Sequence, residues 1–411
     1  MKLKPLLFLA VIWGGLFALV EAGSWMVLKV ANARHPSDNP LVTEYLARGH
    51  PLFVDNEDLR IQSQEFFYHP FLGYEQARNH VTIRPSPEYT GHIGVDAAGF
   101  VHTGDPERNP KRLAEPKGRS YRVVFLGGST MFGLGSSRNQ TTIPAYFEAL
   151  LHQAWPGVEF LVLNAGVQGY QSTQERVAYE LYLDGLEPDL VIALDGTNDA
   201  MFPADLAVWK PYFSTTSLVD NARFVSLHKP SVNLASTIQA LITFPEPLAS
   251  LALLRRVISR LPGGPQPRHD QPGIYHPEAA VQLHGNLKSL ARQLTSDHRL
   301  GLFVLQPYLG HAKPNLTEGE RAIVDGYGGR IEVFNRHFSD FAALYHDLDQ
   351  HFSGSGLLFI DLRTVFSDTP NLIYHSLAHY NDTGNKMLAD VMFTRVQADM
   401  AADLGTKGLL P

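Results

Sequence analysis

The sequence has no cysteine among its 411 residues. That excludes disulfides, thiolate zinc sites and thiol catalysis together, and it fits any redox compartment, an oxidising one included. Runs of arginine and lysine are also missing. Basic residues number 34 against 41 acidic ones, a net charge of −7, so no nucleic-acid partner is expected. The 18 histidines are scattered, with no HExxH or other close ligand spacing, and no metal or other cofactor is expected. The stretch Gly127-Gly128-Ser129-Thr130 lacks the lysine and spacing of a phosphate-binding P-loop, and no GxGxxG follows it, which leaves a nucleotide-binding reading weak. There is no internal repeat and no low-complexity tract.

What is present suits a large folded core, with 44% hydrophobic and 18% charged residues. The first 34 residues stand apart. Lys2 and Lys4 precede an apolar stretch from Pro5 to Leu28, broken by Glu21 and carrying Trp13 and Trp25. Its length is that of a bilayer-spanning helix. The favoured reading is one uncleaved anchor with the remainder exported. A signal peptide is the rival, because VEA (20–22) and ANA (31–33) resemble small-residue cleavage sites. A buried soluble helix is a third reading.

Residues 35–120, rich in Pro, Gly, His and Asn, read as a membrane-proximal lead-in with turns and a small hairpin at HPFLGYEQARNH and GHIGVDAAGFVH. A new pattern starts at residue 121. YRVVFL (121–126), VEFLVL (158–163), DLVIAL (189–194), GLFVLQ (301–306) and LLFID (357–361) are continuous apolar runs, the signature of strands buried on both faces. Amphipathic stretches lie between them. Ser172 with Glu175 forms a candidate capping box, and Pro277 suits a first helical position. The alternation predicts an α/β fold with a doubly wound, mostly parallel five-stranded sheet over 121–400, followed by a tail at 401–411. Residues 201–275 interrupt it as an insertion. Within it, PLASLALLRRVISRL (247–261) reads as a lid helix, or as an interfacial helix touching a membrane.

Ligands of open α/β sheets bind beyond the carboxyl ends of the strands. Four polar loops fall there: GGST after the first strand, NAGVQGYQS after the second, DGTND after the third, and HSLAHYNDTGN before the last helix. Together they offer what acyl transfer needs. A hydroxyl (Ser129) attacks, an imidazole (His379, with His375 as rival) takes its proton, and donors hold the oxyanion. The donors are the amides of Ser129 and Gly169 and the side chain of Asn198. Asp199 reads as a structural tie between loops.

In these blocks the sequence resembles the SGNH (GDSL-like) hydrolase superfamily, in a bacterial membrane-anchored branch. FLGGST matches the serine block, NAGVQGYQS the glycine block, DGTND the G-x-N-D block and HYNDTGNKMLA the histidine block. The resemblance covers about residues 120–400. It implies a flavodoxin-like SGNH fold and a catalytic set of Ser129, Gly169, Asn198 and His379. It implies an esterase or acyltransferase, acting on an acylated small molecule or glycan. One position departs from the pattern. Three residues before His379, where the family carries an aspartate, stands Ser376.

Three outcomes follow from Ser376: a Ser–His dyad with Ser376 or a backbone carbonyl holding the ring, an aspartate supplied from elsewhere (Asp361 and Asp382 are near in sequence), or a poor catalyst that binds an acylated ligand or partner. Losing the orienting carboxylate costs roughly 10⁴ in turnover in a serine protease. The leading expectation is a membrane-anchored, periplasmic O-acetyl esterase or O-acyltransferase on a cell-envelope glycan. The alternative is a non-catalytic SGNH-like module of an envelope assembly. Asn139, Asn315 and Asn381 begin glycosylation sequons. A glycan on Asn381 would obstruct the site, which favours a bacterial exported protein over a eukaryotic secreted one.

Overall fold

A computed structural model describes residues 66–69, 71–86, 88–201, 275–311 and 313–410, with short helical pieces at 15–17, 19–23 and 26. The chain divides into two units, Met1–Ile61 with Thr215–Gln271 and Gln62–Ser214 with Pro272–Pro411. Apart from the short pieces, every described residue belongs to the second. Most of the apolar stretch 5–28 and all of 247–261 lie outside the described residues. Among the described residues, no helix is long and apolar enough to cross a membrane.

The second unit opens with two hairpins. Strand β1 (Phe66–His69) pairs antiparallel with β2 (Gly73–Gln76), and β3 (His80–Pro85) with β4 (Thr90–Val95). Val101 bridges Val95 on one side and Asn164 on the other. Ile93, Val95, Val101 and Phe132 form a small apolar cluster of their own. After helix α1 (Arg108–Leu113) come five strands: β5 (Tyr121–Gly127), β6 (Phe160–Asn164), β7 (Leu190–Asp195), β8 (Leu300–Leu305) and β9 (Leu357–Asp361).

These five make one sheet in the order β6-β5-β7-β8-β9, with every pairing parallel. That is the doubly wound order expected of the five apolar runs. Every residue of β5, β6 and β7 is buried, because helices cover both faces and leave no polar side to alternate with. The strand order reverses between β5 and its neighbours β6 and β7. Such a switch point opens a crevice at the carboxyl edge.

The helices are α2 (Ser129–Phe132), α3 (Ile143–Ala154), α4 (Ser172–Ala178), α5 (Thr197–Met201), α6 (Glu278–Ser296), α7 (Glu318–Tyr327), α8 (Arg330–His351) and α9 (Asp382–Thr406). Pro277 sits at the N-cap of α6, one position before its first turn. One local expectation fails. Ser172 does not cap α4 with Glu175. Gln171 occupies the N-cap, and its amide is received by Gln174 Oε1 at 3.3 Å. Ser172 instead turns its hydroxyl to Asp199 at 2.6 Å and receives Asn286 Nδ2 at 3.0 Å, so its oxygen is engaged by partners distant in sequence.

Candidate active site

Strand β5 runs straight into the site. It ends at Gly127, Gly128 follows, and Ser129 begins the single turn of α2, held by bonds from the amides of Gly133 (3.1 Å) and Leu134 (2.9 Å) to its carbonyl. Gly128 is required by space. A Cβ there would run into the side-chain amide of Asn198 and lie 3.1 Å from the carbonyl oxygen of Tyr170. The loops after β6 and β7 can therefore close over the serine only if that position has no side chain.

Asn198 stands in the first turn of α5, just after β7, and donates from Nδ2 to the Tyr170 carbonyl at 2.7 Å. Gly169, one residue earlier on the β6 loop, has φ +80°, a conformation that L side chains rarely adopt. The glycine loop is tied down from the first hairpin: Tyr74 donates to the Gln168 carbonyl at 2.8 Å, and Tyr170 donates to the Tyr74 carbonyl at 2.7 Å. Ser129, Gly169, Asn198 and His379 are all half-buried, while most residues around them are fully buried.

The histidine comes from the other end of the chain. Ser129 Oγ lies 2.7 Å from His379 Nε2. The second ring nitrogen, Nδ1, lies 2.7 Å from Ser376 Oγ. Burial pushes the His379 imidazole down to about 4, with His375 and Arg84 acting in the same direction. No carboxylate opposes the shift. Asp361 is engaged by Arg363 at 2.7 Å, and Asp382 receives the Ser137 hydroxyl at 2.6 Å and amide at 2.8 Å. Of the three ways to hold the ring, the one seen among the described residues is the Ser376 hydroxyl.

His375, the rival base, points elsewhere. Its Nε2 lies 2.9 Å from Glu88 Oε2. Burial lowers its pKa, and the Glu88 carboxylate partly offsets that. Glu88 also accepts from Asn381 Nδ2 at 2.9 Å. Its neighbour Tyr89 donates to the Gly135 carbonyl at 2.6 Å and accepts from the Asp382 amide at 3.1 Å. Both residues sit in the turn between β3 and β4, so the lead-in forms one wall of the histidine loop. Nothing in the residue pattern of that turn announces this contact.

Two buried charge groups also escaped the sequence reading. Glu175, Asp195 and Asp199 are buried together, within interaction distance of one another. Burial and mutual repulsion raise the pKa of Glu175 and Asp195 well above the carboxylate range, and burial raises that of Asp199. Asp199 does tie loops together, through Ser172. The second group is Lys313 with Glu320, an ion pair whose side chains are 1% and 0% exposed. For Glu320, burial raises the pKa, but the Lys313 ammonium and three backbone amides outweigh it and hold the carboxyl low. A capping box is readable here in Thr317 and Glu320; the lysine is not. Of the sequon asparagines, Asn139 and Asn381 are buried and Asn315 is exposed.

A hydroxyl bonded to an imidazole, beside a glycine loop and an asparagine at the carboxyl edge of a doubly wound sheet, is the type of site found in serine hydrolases. Residues 125–387 match the family model described as the GDSL-like Lipase/Acylhydrolase family. The chain belongs to this family of ester hydrolases, and so to the SGNH hydrolase superfamily.

No curated protein sequence matches it significantly. Among solved structures it is similar to LAE5, an alpha/beta hydrolase enzyme from the metagenome of Lake Arreo, Spain, at 14% identity and TM-score 0.38, covering 67% of this chain and 95% of that one. Axe2, an acetylxylan esterase from Geobacillus stearothermophilus, aligns at 14% identity and TM-score 0.37, covering 67% and 94%. The acetyl xylan esterase AlAXEase aligns at 14% and 0.38, covering 67% and 99%.

Proposed function

We propose that the chain is a serine-dependent esterase in which Ser129 is the nucleophile, His379 the base, and Ser376 the group that holds the imidazole. The observation that carries this reading is the line Ser129 Oγ, His379 Nε2, His379 Nδ1, Ser376 Oγ, with 2.7 Å at each hydrogen bond. As Ser129 Oγ bonds to the ester carbonyl carbon, its proton passes to Nε2. The amides of Ser129 and Gly169 and the Asn198 side chain receive the oxyanion. Collapse breaks the ester C–O bond, and the leaving alkoxide takes the proton from Nε2. Water then attacks the acyl-serine, gives its proton to Nε2, and Ser129 departs with that proton as the carboxylic acid is released. A sugar hydroxyl in place of water makes the same sequence a transfer.

Ser376 accounts for what is unusual here. A carboxylate accepts only, so it selects the tautomer with hydrogen on Nδ1 and stabilises the imidazolium. A hydroxyl can accept from Nδ1–H or donate to bare Nδ1, and it carries no charge. It orients the ring while leaving the charged intermediate less supported. The low pKa of His379 agrees with this.

The substrate proposed is an O-acylated glycan or small molecule of the cell envelope, O-acetyl groups in particular. The apolar stretch 5–28 supports placing the enzyme there, as a single-pass membrane protein with its catalytic domain on the periplasmic side. The test is labelling with a fluorophosphonate probe together with hydrolysis of 4-nitrophenyl acetate. Both are expected in the wild type and lost in Ser129→Ala; a protein that shows neither is not an esterase of this kind. The missing carboxylate favours a second reading, a non-catalytic SGNH-like envelope module, under which Ser129→Ala leaves biological function intact.

A further inference from the structure

The loop that carries Ser376 and His379 is short of its own charge, so its geometry has to come from elsewhere. Glu320, at the start of α7, supplies it. One carboxylate oxygen accepts from the amides of Ile373 (3.0 Å) and Tyr374 (3.2 Å). The other accepts from the amide and hydroxyl of Thr317 (3.0 and 3.1 Å) and from Lys313 Nζ. Lys313 in turn donates to the Asn371 carbonyl at 2.9 Å. Both ends of the ion pair thus hold the backbone of 371–374, immediately before His375 and Ser376.

Downstream, the loop is closed by the Tyr374–Tyr380 bridge and the bond from the His375 amide to the His379 carbonyl at 2.9 Å. Loop neighbours complete its seat. Leu309 donates to the Leu377 carbonyl at 2.7 Å, and Thr130 to the Ala378 carbonyl at 2.9 Å. The Glu320 end is the only part of this seat built from a buried charge among the described residues. A hydroxyl makes a weaker hydrogen bond than a carboxylate and gains less from attraction when the distance is wrong. Where a family aspartate would pull the ring into place, Ser376 has to be delivered to Nδ1 by its backbone.

We propose that Glu320, neutralised by Lys313, is a positioning residue that sets the Ser376–His379 hydrogen bond by clamping the amides of Ile373 and Tyr374. The inference rests on the reading of Ser129 and His379 as nucleophile and base. Two uncharged replacements of the pair separate positioning from bulk stability. Lys313→Met with Glu320→Gln keeps a carbonyl acceptor for the two amides; Lys313→Met with Glu320→Leu removes it. On the full chain with 4-nitrophenyl acetate, the glutamine version is expected within about twofold of wild-type kcat, and the leucine version about five- to tenfold lower with KM nearly unchanged, since a small misplacement of reacting groups acts on kcat and the loss is bounded by that of the Ser376 bond itself. Fluorophosphonate labelling of Ser129 slows in parallel.

Equal kcat in the two folded double variants overturns the proposal. Should the leucine version not fold, Lys313→Met with Glu320→Ala, which also removes the acceptor, is compared in wild-type and Ser376→Ala backgrounds. Its loss of kcat is expected to shrink where the ring bond is already absent, and strictly additive losses overturn the proposal. Failure of the underlying esterase reading looks different: wild-type protein is then not labelled at Ser129 at all.

Discussion

Ser376 Oγ stands 2.7 Å from His379 Nδ1, where a hydroxyl can hold the ring but cannot neutralise it. Restoring an acceptor-only carboxylate is expected to speed the enzyme. Ser376→Asp should raise kcat for 4-nitrophenyl acetate on the order of 10- to 100-fold, a fraction of the roughly 10⁴ that this interaction supplies in a serine protease. Ser376→Ala should lower kcat about tenfold, the loss of one neutral hydrogen bond. If both variants match the wild type, the ring is held by something other than residue 376.

The pH profile is expected to reach unusually low. With the His379 pKa pushed down to about 4 by burial, the imidazole is neutral, and able to accept a proton, at every pH well above that value. The acid limb of kcat/KM should therefore fall near pH 4 to 5 rather than near the ordinary histidine value of about 6.5. In Ser376→Asp the new negative charge favours imidazolium, so the limb should move upward. A wild-type limb above about pH 6 would contradict the charge environment described.

The two histidines of the loop should separate cleanly. His379→Gln is expected to abolish fluorophosphonate labelling. His375→Gln, whose parent side chain is occupied by Glu88 at 2.9 Å, should keep labelling within about tenfold of the wild type, because it gives no direct hydrogen bond to Ser129. The reverse pattern would make His375 the base.

Asn198→Ala removes a proposed oxyanion donor and is expected to lower kcat by about 10²- to 10³-fold with a small effect on KM. Because Nδ2 also binds the Tyr170 carbonyl at 2.7 Å, the melting temperature should be measured alongside. An unchanged kcat would mean that Asn198 serves only that tie.

The buried carboxyls Glu175, Asp195 and Asp199 predict a stability profile. Folding raises the pKa of Glu175 and Asp195 through burial and mutual repulsion. The folded state then holds protons that the unfolded chain releases first, so their contribution is full below the unfolded carboxylate range and is lost as pH rises through the folded values. The melting temperature should fall as pH rises above the ordinary carboxylate range, and Glu175→Gln should flatten that slope. Identical slopes for variant and wild type would place the proton elsewhere.

Five apolar runs located the five sheet strands to within two residues, because a strand buried on both faces has no polar positions and stands out from every helix around it. Four loops at strand ends likewise pointed to Ser129, Gly169, Asn198 and His379, since a doubly wound sheet sends all such loops to one edge. The capping box placed at Ser172 failed for the complementary reason. Its hydroxyl is engaged by Asp199, 27 residues away.

The sequence by itself determined the sheet, its carboxyl edge and the residue types waiting there, because these follow from local periodicity and chain order. Only the tertiary structure decided which nitrogen of which histidine meets Ser129 across 250 residues, that the Ser376 hydroxyl touches the other ring nitrogen, and that Glu88 and Glu320 reach the same loop from distant segments. Those contacts are set by how packed elements converge in space, and no spacing along the chain encodes that convergence.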